Sequence, residues 1–143
     1  MIRLITIILT LTIPIIGQTS EELLNKQFPL SQRIIHLPPD PFFKGRPYYL
    51  ELVSDIPEDS VTSASLFIAT EKSVRYLEFP LENYHGLYRF RYDPLKIIGN
   101  VLIYFFVLTT TDFGIYAAPL TDAGKLDPVV IKPVDPVEYY NRR

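Results

Sequence analysis

From residue 46 onward the chain alternates apolar and polar positions in short runs, each closed by turn-forming residues. In "RPYYLELVS" (46–54), Tyr48, Leu50 and Leu52 fall on one side and Tyr49, Glu51 and Val53 on the other. "DIPEDSVTS" (55–63) reads as a loop. "ASLFIAT" (64–70) reads as a strand with Leu66 and Ile68 on one face. "VRYLEFPLE" (74–82) follows as one strand with Leu77, Phe79 and Leu81 aligned, and "NYHG" (83–86) as a turn. "LYRFRYDP" (87–94) sets Tyr88, Phe90 and Tyr92 against Arg89 and Arg91. A period of two with arginines on one side is the pattern of a half-buried strand.

Residues 101–108, "VLIYFFVL", are apolar without a break. The run is too short to span a membrane and rich in strand formers, which predicts a central strand buried on both faces. Alternate residues of a sandwich strand face opposite ways. Tyr104, Phe106 and Leu108 therefore need one cover, and Ile103, Phe105 and Val107 another. Segments 21–43 or 120–143 of the same chain would supply the second cover, or else a partner would, since contiguous exposed apolar surface marks interaction sites. The same ambiguity applies to Tyr49 and Val53. Where this run ends, Asp112-Phe113-Gly114 matches the magnesium-binding tripeptide of protein kinases. The glycine-rich loop, the strand lysine and the His-Arg-Asp loop are all missing, so the tripeptide reads as a hairpin turn, with Gly114 expected to supply positive φ. "IYAAP" (115–119) is the return strand, and "PVVIKPV" (128–134) a further strand held to an edge by its prolines.

The N-terminal part reads differently. "MIRLITIILTLTIPIIGQTS" has one arginine and then an uncharged apolar run from Leu4 to Ile16, the layout of a secretory signal peptide with cleavage at residue 17. The alternative is an uncleaved membrane anchor. Residues 21–28 predict a short helix capped by Ser20 and stopped by Pro29, and 33–37 a first strand. "LPPDPFFKGRP" (37–47) is an extended connection.

Composition narrows the function classes. The 143 residues suit one domain, and the apolar fraction of 48% suits a packed core. A net charge of -2 leaves no basic footprint for nucleic acid. With no cysteine, disulfides, thiolate-bound zinc and a thiol nucleophile are excluded. Short strands about ten residues apart, with turns between and little helix, predict an all-β sandwich of about seven strands, the size of a small immunoglobulin-like domain.

The pieces "LELVSD" (50–55), "ASLFIAT" (64–70), "YLEFPL" (76–81), "YRFRYDP" (88–94), "VLIYFFVLTTTDFG" (101–114) and "IYAAP" (115–119) give a recurring layout. It resembles the immunoglobulin-like or fibronectin type III-like modules of secreted bacterial proteins. The resemblance covers residues 46–119 and brings no catalytic residues. It implies a spacer, adhesion or binding role. The expected organisation is a signal peptide (1–17), an N-terminal extension and proline-rich connection (18–45), an immunoglobulin-like sandwich (46–132) and a C-terminal tail (133–143).

Sites of other kinds find little support. Asp55, Glu58 and Asp59 lack the spacing of a calcium loop and read as a solvated turn. His36 and His85 form no metal pair, and His85 beside Gly86 reads as a turn residue. No nucleophile elbow occurs. The aromatic pairs Phe42-Phe43, Tyr48-Tyr49 and Tyr139-Tyr140, and Tyr84, read mainly as core and its cover. The expected function is a non-catalytic, exported interaction or structural module of the bacterial envelope, periplasmic or extracellular, without cofactor or metal. It would bind a protein partner through Tyr104, Phe106, Tyr139 and Tyr140 or a strand edge. A carbohydrate-binding module and a small secreted hydrolase, or an accessory domain of one, are the alternatives.

Overall fold

A computed structural model describes residues 19–30 and 33–143. The expected signal peptide lies outside the described residues. The chain forms two antiparallel sheets packed face to face. Strands β1 (Ile34–His36), β2 (Tyr48–Ser54), β3 (Val61–Thr70), β4 (Leu77–Pro80), β5 (Glu82–Tyr84), β6 (Leu87–Tyr92), β7 (Leu102–Thr110), β8 (Ile115–Ala118) and β9 (Val129–Ile131) follow in chain order. The first sheet has the order β1-β2-β6-β5; the second has β4-β3-β7-β8, with β9 also beside β7. The all-β sandwich expected from the alternation is the fold observed.

More strands are present than the expected seven, partly because "VRYLEFPLE" is not one strand. β4 pairs with β3, then the chain leaves that sheet, and β5 pairs with β6 in the other. Strand β3 also begins at Val61, inside the stretch read as loop. β7 is central: β3 runs along one edge, while β8 and β9 share the other.

Inward residues alternate along each strand and fill the space between the sheets. Leu50, Leu52, Leu66, Ile68, Tyr88, Tyr92, Tyr104, Phe106 and Leu108 are all buried there. Among the described residues, 34–43 also contribute to this body. β1 pairs with β2, and Ile34 and Phe42 enter the core. The tail is also tied down: Val134 bridges to Phe43, and helix α2 (Pro136–Asn141) follows, capped by Asp135.

A second apolar cluster lies on the outer face of the β4-β3-β7-β8 sheet. Phe67, Phe105, Val107 and Ala117 face away from the sandwich and are nonetheless buried. Leu23 and Phe28 cover them from the N-terminal side and Leu126 from the C-terminal side. Leu23 sits on helix α1 (Ser20–Asn25), whose cap is Thr19 in a capping box with Glu22, one residue before the expected Ser20. The helix ends at Asn25, ahead of Pro29, where Lys26 turns extended. Phe28 is pinned by its N–H, which donates to the Gly124 carbonyl at 2.8 Å. The cover demanded by the unbroken run of β7 therefore comes from residues 23–28 and Leu126 of the same chain.

Candidate functional site

Tyr104 and Phe106 are each 0% exposed. Their side chains point between the sheets, so neither presents a surface to a partner. The unbroken apolar run separated the two sides of the strand but not which of them meets the other sheet, and both expected surface residues lie on that side. Tyr104 instead joins the sheets. The His36 Nδ1–H donates to the Glu51 carbonyl at 2.6 Å, and Nε2 then accepts from the Tyr104 hydroxyl at 2.8 Å. A carbonyl can only accept, so this arrangement fixes the neutral tautomer. Burial pushes the His36 pKa below its ordinary value, against the smaller upward pull of the Glu51 carbonyl. Burial pushes the Tyr104 hydroxyl well up. Both ring nitrogens of His36 are engaged, which leaves none for proton transfer to a substrate.

Tyr139 and Tyr140 divide. Tyr139 packs edge-on against Phe43 with ring centroids 5.4 Å apart, and its hydroxyl accepts from Arg143 at 3.1 Å. Tyr140 remains exposed. The tail thus docks on the body at Phe43, chiefly through Tyr139, and leaves Tyr140 and Val137 exposed.

The open surface lies elsewhere, on the outer face of the β1-β2-β6-β5 sheet. The register sets Ile35 opposite Val53, Val53 opposite Leu87, and Leu87 opposite Tyr84. This apolar row crosses all four strands. Ile35 is 53% exposed, Val53 54% and Tyr84 59%. The neighbouring row is charged, with Glu51, Arg89 and Glu82 in register. The Arg89 guanidinium lies 4.7 Å from the Tyr49 ring and 4.6 Å from the Tyr84 ring. Aromatic faces attract a cation at this range, which holds the arginine flat on the sheet. Its Nε is buried without a hydrogen-bond partner, and Glu82 is 4.0 Å away, too far for a hydrogen bond. Alternation alone set Tyr49 and Val53 on the side away from Leu50 and Leu52 without saying whether it is covered, and set Arg89 on the polar side of its strand. Ile35, Leu87 and Glu82 join them only through cross-strand register, which one strand's pattern does not carry.

The turn at Asp112-Phe113-Gly114 is structural. The Asp112 carboxylate accepts from the Thr110 hydroxyl and from the Gly114 N–H, which holds its pKa down. Positive φ falls on Phe113 (62°), not on the expected Gly114. Gly114 is needed for space instead, since a Cβ there would meet Thr110 Oγ1 at 2.7 Å. His85 and Gly86, with φ of 53° and 85°, make the β5–β6 turn, as their sequence suggested. Asp55, from the acidic loop, is paired with Arg33 at 3.2 Å.

No protein-family model matches this sequence, and no curated protein matches it either. Among the described residues no helix is long and apolar enough to cross a membrane.

Proposed function

We propose that this chain is an exported, non-catalytic interaction module of the bacterial envelope that binds a protein partner through the outer face of its β1-β2-β6-β5 sheet. One observation carries the reading: the two outer faces are treated differently. The chain covers Phe67, Phe105 and Val107 with its own residues 23–28 and Leu126, yet leaves Ile35, Val53 and Tyr84 uncovered. A contiguous apolar row beside polar groups is the composition of a protein interface.

The immunoglobulin-like assignment belongs to the same proposal. It is supported by the strand orders: lettered in chain order, with β9 left aside, the sheets read A-B-E-D and C′-C-F-G, as in immunoglobulin domains. Export rests on the sequence of residues 1–17. Tyr49 and Tyr84 also favour glycan binding, but each directs a ring face to Arg89, and the aliphatic row beside them has no use for a sugar. A photocrosslinking residue at position 53, with one at exposed Val137 as control, tests the proposal in the native envelope. A discrete adduct from position 53 alone is expected. Equal labelling from both positions, or retention of the unmodified protein on polysaccharide, contradicts it.

A further inference from the structure

A cleft of about 600 Å³ opens between β4 of one sheet and the Phe90–Arg91 end of β6 in the other. β5 pairs only with the Leu87–Arg89 half of β6, so Phe90–Tyr92 is left without that neighbour. On the far side β4 is the end strand of its sheet. Phe79 of β4 and Phe90 of β6 meet across the gap, ring centroids 4.9 Å apart, and with Ile97 form an apolar floor. Leu77 and Ile98 line the walls and stay more than half exposed. The volume falls within the range of small-molecule sites, about 300–1,000 Å³.

The rim is cationic. Lys72, Arg91 and Lys96 line the cleft, and among the described residues none is paired with a carboxylate. The one acid there, Asp93, is turned to local duty: its carboxylate accepts from the Leu95 N–H at 2.9 Å. The other nearby acid, Glu71, accepts from the Asn100 and Val101 N–H groups at 2.6 and 2.9 Å, which lowers its pKa and fixes it to the loop before β7. An apolar floor under three cations, with the Asp93 carboxylate the one acid in the lining, leaves a net positive rim that matches a ligand with a hydrocarbon body and one anionic end. We infer that this cleft binds a free single-chain carboxylate of the fatty-acid class, with the chain on Phe79, Phe90 and Ile97 and the carboxylate at Lys72, Arg91 and Lys96. The cleft adjoins the proposed partner face, since Arg91 stands opposite Tyr49 there, but the inference does not rest on that proposal.

The test is an amide-shift titration of the isotope-labelled full chain with decanoate, decanol and decyltrimethylammonium, each below its micelle concentration. Decanoate is expected to bind saturably, with shifts concentrated in residues 70–79 and 90–98, and about tenfold more tightly than decanol. Octanoate should bind about tenfold more weakly than decanoate, at roughly threefold per methylene. Lys72→Glu with Lys96→Glu should remove the preference for decanoate over decanol. Added salt on the unaltered chain should weaken decanoate but not decanol, which keeps the test decisive if that variant fails to fold. Equal affinity for all three probes, shifts outside those segments, or binding only to phosphatidylglycerol vesicles would overturn the inference.

Discussion

His36 is where the two sheets meet through polar side chains, and its protonation state matters to the fold. In the unfolded chain it titrates near 6.5, and in the folded chain lower. As pH falls through 6.5 the unfolded chain takes up a proton that the folded chain refuses. Stability is therefore full above 6.5 and declines as pH drops toward the folded pKa. Chemical denaturation from about pH 7.5 to about pH 5.5 should show this loss, and His36→Gln should flatten it. An unchanged slope in the variant would place the effect elsewhere. Phe113 poses a different residue-scale question. It is 93% exposed yet holds φ of 62°, a left-handed conformation costly to an aromatic side chain. Phe113→Asn should stabilise the protein by about 0.5–1 kcal/mol in denaturant melts, since asparagine tolerates that region and no packing is lost. Neither feature was legible in the sequence. The expectation gave the positive φ to Gly114 because glycine permits it, whereas the structure needs that glycine for close approach to Thr110.

At the scale of elements, alternation revealed most strands because each has one wet face and one dry face. It failed at 74–82, where the chain changes sheets between Leu81 and Glu82 and no change of period marks the crossing. The unbroken run of β7 correctly signalled burial on both faces, but periodicity could not say which segment covers the second. The cover is α1 with the stretch to Phe28, locked against the turn at Gly124. A Cβ at Gly124, φ 76°, would meet the Phe28 carbonyl oxygen at 2.6 Å. Gly124→Ala should cost about 2 kcal/mol or more and release this segment, seen as rapid hydrogen exchange at Phe28 and dye binding at Phe105 and Val107. Gly45 has a similar φ of 77° but open space around it. Gly45→Ala should cost only about 1–2 kcal/mol and leave the cover in place. Equal effects from both substitutions would mean that backbone conformation alone, and not the contact with Phe28, explains the loss.

At the scale of the whole molecule the sandwich has one covered face and one open face. The interaction role anticipated from the sequence was attached to Tyr104 and Phe106, whose side chains are core. Hydropathy measures the need for burial without saying which side meets the other sheet, and the most apolar strand became the most enclosed. The open face was visible only in part, through Tyr49 and Val53, because its row is assembled from strands distant in sequence. Binding through that face is tested by comparing crosslinked capture from the native envelope by three forms: the unaltered protein, Ile35→Glu with Val53→Glu, and Val137→Glu as an exposed control. All three must first show the same denaturation transition. One specific protein should be captured by the unaltered and control forms and lost from the double variant. Capture that survives in the folded double variant would contradict it and remove the β1-β2-β6-β5 face as the site of binding.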